Sequence, residues 1–236
     1  MCSRYCLTSP PEAVRAFFCH DNEAVYPPRY NIAPTQPVAI VRMSAKKTRE
    51  LVLVRWGLIP PWVKDPNEFA TLINARAETA AEKPSFRSAL RYRRCLVPAD
   101  GFYEWTGRKG NKQPHLLRRK LQEADATVGP GDGGSLLAFA GLWEHWLGAE
   151  GSEMETMVIL TTKANKTLAP LHDRMPVILE QADHARWLDC AMGKTETITD
   201  LLRPADNDLL EIVAVNPQLN NPRHEGPELQ QPLPLL

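Results

Sequence analysis

The sequence lacks any apolar run close to the roughly 20 residues that cross a bilayer, and its N-terminus lacks the apolar region of a signal peptide. We therefore expect a cytoplasmic protein with no membrane partner. The five cysteines are an odd number and include no Cys-x-x-Cys pair, which argues against a disulfide framework and a structural zinc. Free thiols, no metal and no cofactor are expected.

A phosphate-binding loop is also missing. The glycine-rich stretch at 129–135 lacks the Gly-Lys-Ser/Thr ending of such loops, so we interpret it as a flexible surface connector. The chain does contain enough apolar residues, 43% of 236, to bury a substantial core. We expect one domain over 1–220, a proline-rich tail over 221–236, and a monomer.

Charge is unevenly distributed although the formal net charge is zero. Residues 1–120 hold 21 Lys and Arg against 10 Asp and Glu, and the remaining residues hold 7 against 18. Such asymmetry indicates a polyanionic partner for the basic half, and arginine, which supplies 14 of those basic residues, pairs well with phosphate. Solvated faces and internal ion pairs are the alternative explanation.

Periodicity predicts short elements in mixed order. A capping box beginning at Ser9 predicts a helix over 10–19, and Pro84 divides 75–93 into two short helices. Further helices are expected at 182–189 and 195–202, and an irregular arm from Asn221. Strands are predicted at 38–43, 50–58, 94–97, 102–106, 115–118, 136–143, 155–162, 175–179 and 210–215. This order indicates an α+β fold with a curved, mostly antiparallel, barrel-like sheet flanked by helices.

Cys2 has distinctive chemistry if an aminopeptidase removes Met1. Its α-amine and thiol then form a 1,2-aminothiol, which condenses with an aldehyde to an imine and closes to a five-membered thiazolidine. A free α-amine titrates near pH 8, so a useful fraction is uncharged at neutral pH. Position 2 alone is weak evidence, because cysteine also occurs there by chance.

Two acid–base candidates accompany it. Glu104 lies between aromatic residues in a predicted strand, where it either faces solvent, away from Tyr103 and Trp105, or faces a pocket suited to proton transfer. His172 is either an ordinary loop histidine bonded to Asp173 or a second acid–base group.

Asn74 and Arg76 alternate across one residue, so an extended segment would aim both at a phosphate or sugar oxygen. The alternative is a helix N-cap at Asn74 with a solvated Arg76. Trp62 and Trp105 are either core residues or, if exposed beside arginines, a stacking platform for unpaired bases.

An ordered series of motifs resembles the SOS-response-associated peptidase (SRAP) family from Cys2 to about Pro217. The series runs Cys2, Asn-Ile-Ala-Pro-Thr-Gln (31–36), Arg-Trp-Gly-Leu-Ile-Pro (55–60), Asn-Ala-Arg-Ala-Glu-Thr (74–79), Gly-Phe-Tyr-Glu-Trp (101–105), Ala-Gly-Leu-Trp-Glu (140–144) and His-Asp-Arg-Met-Pro (172–176). His115 departs from the family pattern, in which an aromatic residue is more usual.

The resemblance implies a sensor of abasic sites in single-stranded DNA that crosslinks itself to them through Cys2 and associates with the nucleoid when bound. By motif, Glu104 is the general acid–base and His172 assists ring opening and crosslink reversal. Asn74 and Arg76 hold the abasic sugar and its phosphate, while Arg4, Trp62 and Trp105 line the DNA path. Removal of its own Met1 is also implied. A weak lyase activity is compatible with the chemistry, because the same imine permits β-elimination of the DNA strand.

Two other function classes compete with this hypothesis. One is a cysteine peptidase, acting on itself or other proteins, with Cys2 and His172 as nucleophile and base. The other is a non-catalytic module that binds single strands through its basic half and its tryptophans, with steep salt dependence and no need of Glu104.

Overall fold

The computed structural model describes residues 2–108, 110–120 and 134–233, which form thirteen strands and three α-helices. Most of the connector predicted at 129–135 lies outside these residues. The strands are β1 (Tyr5–Leu7), β2 (Arg29–Ile32), β3 (Pro37–Met43), β4 (Arg49–Trp56), β5 (Asn74–Arg76), β6 (Arg94–Ala99), β7 (Gly101–Arg108), β8 (Asn111–Arg119), β9 (Leu137–Leu147), β10 (Glu153–Lys163), β11 (Arg174–Pro176), β12 (Ile178–Leu179) and β13 (Leu210–Ala214). The helices are α1 (Pro11–Phe18), α2 (Arg87–Tyr92) and α3 (His184–Leu188).

Five strands close into a barrel. β4 pairs with β3, β3 with β6, β6 with β9 and β9 with β10, all antiparallel. The ring is completed by a parallel pairing of β10 with β4 at Met157 and Trp56. β5, β11 and β12 extend this sheet. The predicted α+β class with a mostly antiparallel, barrel-like sheet is confirmed.

A second sheet has the order β13-β8-β7-β1-β2 and is antiparallel throughout. Tyr5 of β1 joins it to the barrel, because its ring packs edge-on against Trp56 and Phe139 with centroids 5.2 and 6.2 Å away. Phe102 of β7 adds an edge contact to Phe139 at 5.9 Å. Burial of these aromatic rings fixes the N-terminal segment at the junction of the two sheets.

The first helix begins differently from the expectation. α1 occupies the predicted region and buries Val14 and Phe18, one turn apart on a single face. Its N-cap is Pro10, without a side-chain hydrogen bond. Ser9 instead donates its hydroxyl to Asp100 Oδ1 at 2.6 Å. The predicted capping box is therefore wrong, because the Ser9 hydroxyl bonds to the Asp100 carboxylate and does not cap the helix.

Only one of the two helices predicted within 75–93 exists, namely α2. The earlier part is a strand followed by turns, because β5 pairs in parallel with β10 and Ala77 N donates to Thr161 O at 2.8 Å. Bonding to a distant strand has overridden local helix propensity. The regions predicted at 182–189 and 195–202 contain α3, preceded by a 3₁₀ helix at Gln181–Asp183, and a 3₁₀ helix at Glu196–Leu201.

The segment after Asn221 is not an irregular arm as expected. Following the 3₁₀ helix Pro217–Asn220, residues Pro227–Gln230 form another, and Leu229 is buried against the second sheet. Gln230 donates to the Tyr103 hydroxyl at 2.9 Å. This correction concerns residues up to 233; the division of the chain at 220 stays a prediction.

Other expectations concern cysteines and membranes. All five cysteines are free thiols, as predicted. Among the described residues, no helix is both long and apolar enough to span a membrane.

His184 makes stability depend on pH. It is buried at the start of α3 with its ring stacked on Phe18 at 5.4 Å. Burial lowers the pKa of His184 to about 4, and the charge of Arg49 acts in the same direction. In the unfolded chain a histidine titrates at about pH 6.5, so between about pH 6.5 and 4 the unfolded state binds more protons than the folded state. The free energy of unfolding therefore falls as pH falls through this window.

We expect acidification from pH 7 to pH 5 to cost about 2 kcal/mol of unfolding free energy through His184. His184→Phe keeps the stacking area and cannot titrate, so it should remove this component. His145→Gln alters a histidine whose side chain is 46% exposed and should keep the wild-type dependence. Urea unfolding at both pH values measures the difference; identical losses in wild type and His184→Phe would contradict the prediction.

Candidate active site

The site begins at the N-terminal segment that leads into β1. Arg4 O accepts a hydrogen bond from Tyr103 N at 3.0 Å, which extends the pairing of β1 with β7. Asn74 Nδ2 donates to Cys2 O at 2.7 Å. Cys2 is thus held from both sheets, by β7 through its neighbours and by β5 directly.

Asn74 and Arg76 lie two residues apart in the short strand β5, in the extended segment that their alternation predicted. Ala75 between them is buried, Asn74 is half-buried and Arg76 is exposed. Asn74 aligns with Ile159 and Arg76 with Thr161 of β10. The N-cap alternative for Asn74 is therefore wrong, because the residue lies within a strand and its side chain holds the Cys2 carbonyl.

Glu104 faces away from Tyr103 and Trp105, as the two-residue period of a strand requires. That side of β7 is the interior rather than solvent, and Glu104 is 5% exposed. The solvent-facing alternative is therefore wrong. Glu104 lies near enough to Cys2 for its charge to act on the thiol.

The Cys2 thiol is wholly buried, with Sγ 3.8 Å from Arg4 O. Burial raises the pKa of this thiol well above its ordinary value, and the negative charge of Glu104 raises it further. At neutral pH the group is consequently a neutral thiol with a carboxylate side chain nearby. This raised pKa is the opposite of the shift that turns a cysteine into a thiolate.

His172 precedes β11. Its Nδ1 accepts a hydrogen bond from Arg174 N at 2.9 Å, and Asp173 Oδ1 lies 2.9 Å from the same nitrogen. Because the backbone N–H of Arg174 donates to Nδ1, that nitrogen is an acceptor here and Nε2 is left to act as the donor of the ring. Asp173 contacts the His172 ring, as expected for an ordinary loop histidine. An acid–base role of His172 stays a prediction.

The predicted DNA-path residues lie in different surroundings. Trp62, in the loop after β4, is 57% exposed and makes an edge contact with Phe69 at 5.5 Å, so it is not a core residue. Trp105 is half-buried, and its indole N–H donates to Asn220 Oδ1 at 2.7 Å. Arg4 lies over the Trp105 ring, 5.7 Å from its centroid. The structure thus joins Arg4 to Trp105, while Trp62 belongs to a separate loop.

Sequence reasoning missed Asn31, which organises this region. Buried in β2, its Oδ1 accepts from Arg4 Nη1 at 2.6 Å. Its Nδ2 donates to three carbonyl oxygens at 3.0 to 3.3 Å, those of Leu219, Asn221 and His224. Asn31 therefore ties the segment that carries Cys2 to the C-terminal segment. The sequence showed only an asparagine inside the 31–36 motif, and local pattern does not connect it to either segment.

Arg174 and Glu78 form a second contact that local sequence pattern does not predict. The guanidinium of Arg174 forms two hydrogen bonds of 2.8 Å with the carboxylate of Glu78, and Arg174 Nη2 also donates to Thr161 O. This bidentate pair connects the turn after β5 to β11 and holds the loop that carries His172. Among the described residues no cluster of three or more His, Cys, Asp or Glu is arranged to hold a metal.

By this geometry the molecule is an α+β barrel protein with a candidate nucleophile at the start of its chain. Comparison with known proteins identifies the family: the profile described as SOS response associated peptidase (SRAP) matches residues 1–222. The chain belongs to the SRAP family, and the resemblance drawn from its motifs is confirmed.

Named relatives agree with the assignment. The abasic site processing protein YoqW of Bacillus subtilis is 40% identical over 97% of this chain and 98% of its own. The abasic site processing protein HMCES of Gallus gallus is 35% identical over 90% of this chain and 68% of its own. A crystal structure of a protein from Bacteroides thetaiotaomicron superposes with a TM-score of 0.83 at 26% identity, covering 98% of this chain and 100% of that one.

Proposed function

We propose that the protein captures abasic sites in single-stranded DNA as a covalent thiazolidine on Cys2, after Met1 is removed. The observation that carries the proposal is the setting of Cys2, whose carbonyl is held by Asn74 and whose thiol lies near Glu104. Relatives named abasic site processing proteins suggest the electrophile. An abasic sugar in its open-chain form carries an aldehyde, the group that a 1,2-aminothiol captures.

The reaction balances with the groups at this site. The uncharged Cys2 amine adds to the aldehyde carbon, and one proton passes from the nitrogen to the oxygen to give a carbinolamine, whose remaining N–H proton Glu104 accepts. Glu104 returns this proton to the hydroxyl, which leaves as water and gives an imine. The thiol sulfur adds to the imine carbon and its proton passes to the nitrogen, closing the ring with the loss of one water overall.

In the proposed order the amine reacts first and the thiol then closes the ring, and a thiol pKa raised by burial and by Glu104 favours this order. Asn74 fixes the Cys2 carbonyl and hence the direction of the amine, which is an orientation effect. Ring closure also competes with β-elimination from the imine, so the crosslink shields the DNA strand and lyase activity stays weak.

The remaining residues complete the proposal. His172 assists ring opening and reversal, Arg76 and Arg4 bind backbone phosphates, and Trp62 and Trp105 stack on unpaired bases. Against the peptidase alternative, a cysteine–histidine pair relies on a lowered thiol pKa, whereas burial and Glu104 raise that of Cys2.

The proposal requires a free Cys2 amine, and this requirement can be tested directly. One preparation begins at Cys2, and another carries a glycine before Met1, so that the Cys2 nitrogen is an amide. Each is incubated with a single-stranded oligonucleotide holding one abasic site and run on a denaturing gel. We expect adduct from the first and at least about 100-fold less from the second, since an amide nitrogen is not a nucleophile. Equal yields would refute the proposal, and an oligonucleotide without the lesion is the control.

A further inference from the structure

The ion pair of Glu78 and Arg174 joins two parts of the candidate active site that are distant in sequence. Glu78 follows β5 by two residues, and β5 carries Asn74, whose amide holds the Cys2 carbonyl. Arg174 is the first residue of β11 and follows His172 by two residues. The pair therefore connects the strand that holds the candidate nucleophile to the loop that carries the second acid–base candidate.

Arg174 is anchored through both its side chain and its main chain. Its guanidinium makes two hydrogen bonds of 2.8 Å to the Glu78 carboxylate and a third to Thr161 O. The same Thr161 carbonyl accepts from Ala77 N, the residue before Glu78, at 2.8 Å. The main chain of Arg174 pairs with Lys163 of β10. Its side chain is only 11% exposed, so the arginine is held within the junction of β5, β10 and β11.

Glu78 is ionised at neutral pH. Hydrogen bonding from Arg174 lowers the pKa of the Glu78 carboxyl below its ordinary value. Two parallel bonds between a guanidinium and a carboxylate fix the angle of the arginine as well as its distance. An amide in place of this carboxylate would offer one oxygen acceptor and no negative charge, so the fixed geometry of the pair would be lost.

The anchored arginine determines the arrangement of His172. Arg174 N donates to His172 Nδ1 at 2.9 Å, and His172 N donates to Leu168 O at 3.1 Å. One bond holds the ring and the other holds the main chain of the histidine. Because Nδ1 is an acceptor, Nε2 is the nitrogen through which the ring can donate. A shift of Arg174 would move this ring, and a misplacement of about 1 Å can slow a reaction strongly.

We propose that Glu78 is a positioning residue for His172 and acts through Arg174. Glu78 exchanges no proton with the DNA. It keeps the imidazole aligned with the abasic sugar during ring opening and crosslink reversal. The inference rests on the proposed function for the role of His172, and it adds the carboxylate that holds this histidine in place.

The test uses the full chain, beginning at Cys2, with Glu78→Gln, His172→Gln and the double variant. Glu155→Gln is the matched control, because it removes a carboxylate partner of Arg42, whose side chain is 14% exposed, elsewhere in the barrel. Single-turnover crosslinking rates are measured with an abasic oligonucleotide and with an oligonucleotide that carries an acyclic aldehyde, which has no sugar ring to open.

Two further measurements complete the test. Reversal is followed as release of DNA from the purified adduct in the presence of hydroxylamine, which traps the released aldehyde. The ring signals of His172 in nuclear magnetic resonance spectra, assigned with His172→Gln, report the placement of the imidazole in the absence of DNA.

Glu78→Gln is expected to slow reversal and the crosslinking of the abasic oligonucleotide by about 10-fold, and to shift the His172 ring signals. Crosslinking of the acyclic aldehyde should stay within about 2-fold of the wild-type rate, because no ring opening is needed. The double variant should match His172→Gln alone, since a residue that acts through His172 then has nothing left to position. Glu155→Gln should match the wild type in every measurement.

Unchanged His172 signals in Glu78→Gln, or additive losses in the double variant, would overturn the positioning role. Equal slowing with both aldehydes would also overturn it, because it indicates a general distortion of the site. If the wild type forms no adduct, the covalent proposal fails and the ring signals alone decide the inference. If His172→Gln crosslinks and reverses like the wild type, the role of His172 and this inference fall together, while capture by Cys2 stands.

Discussion

Cys2→Ala is expected to abolish the denaturant-stable adduct with abasic single-stranded DNA. Alanine keeps the N-terminal amine, which still forms an imine, but it has no sulfur to close the ring. The imine hydrolyses when the complex is denatured, so the adduct yield should fall at least about 100-fold. The yield on a denaturing gel, without reductant, is the measurement.

Cys6→Ala is the matched control for this substitution. Cys6 is a second buried thiol on the same N-terminal segment, and its Sγ approaches Gly101 O at 3.4 Å in the second sheet. Both variants lose one buried sulfur, but only Cys2 belongs to the proposed reaction. A normal adduct yield from Cys2→Ala, or an equal loss in Cys6→Ala, would contradict the role given to Cys2.

Glu104→Gln is expected to slow crosslinking by about 10²- to 10⁴-fold, the usual contribution of a positioned acid–base group. Glutamine preserves size and hydrogen bonding but cannot accept a proton from the amine and return it to the departing hydroxyl. Affinity for undamaged single-stranded DNA should stay within about 2-fold, because Glu104 faces the interior of the site and carries no phosphate-binding charge. Single-turnover rates with excess protein separate these two quantities.

Glu211→Gln provides the comparison, since it makes the same change at a half-buried carboxylate, paired with Arg118, on β13 of the same sheet. It should leave both rate and affinity unaltered. If Glu104→Gln crosslinks at the wild-type rate, proton transfer by Glu104 is refuted. Unchanged binding of undamaged DNA with no wild-type adduct would instead favour the non-catalytic binding module.

Local sequence pattern predicted the longer strands but not the short strands β1, β2 and β5. β3, β4 and β6 to β10 combine several β-branched or aliphatic residues, so their composition alone predicts them. β1, β2 and β5 contain only three or four residues each, too few to display a period. β5 exists because it pairs with β10, more than 80 positions away, and no local pattern reports such a partner.

In the candidate site, too, local pattern predicted some features, while others depend on contacts between distant segments. Alternation along β7 predicted that Glu104 faces away from Tyr103 and Trp105, but only the second sheet shows that this direction is inward. The contact of Asn74 with the Cys2 carbonyl depends on two segments 72 residues apart. The bonds of Asn31 to the C-terminal segment are longer in range still. Motif order identified the family, whereas tertiary pairing supplies the geometry.

The intact mass of the adduct tests the central claim most directly. Purified protein is incubated with an abasic oligonucleotide of known mass and measured without reduction. The account predicts one product with the mass of the chain lacking Met1, plus the oligonucleotide, minus one water, and fragmentation should place the DNA on Cys2. An adduct on a chain that retains Met1, or a modification mapped to a lysine, would contradict it.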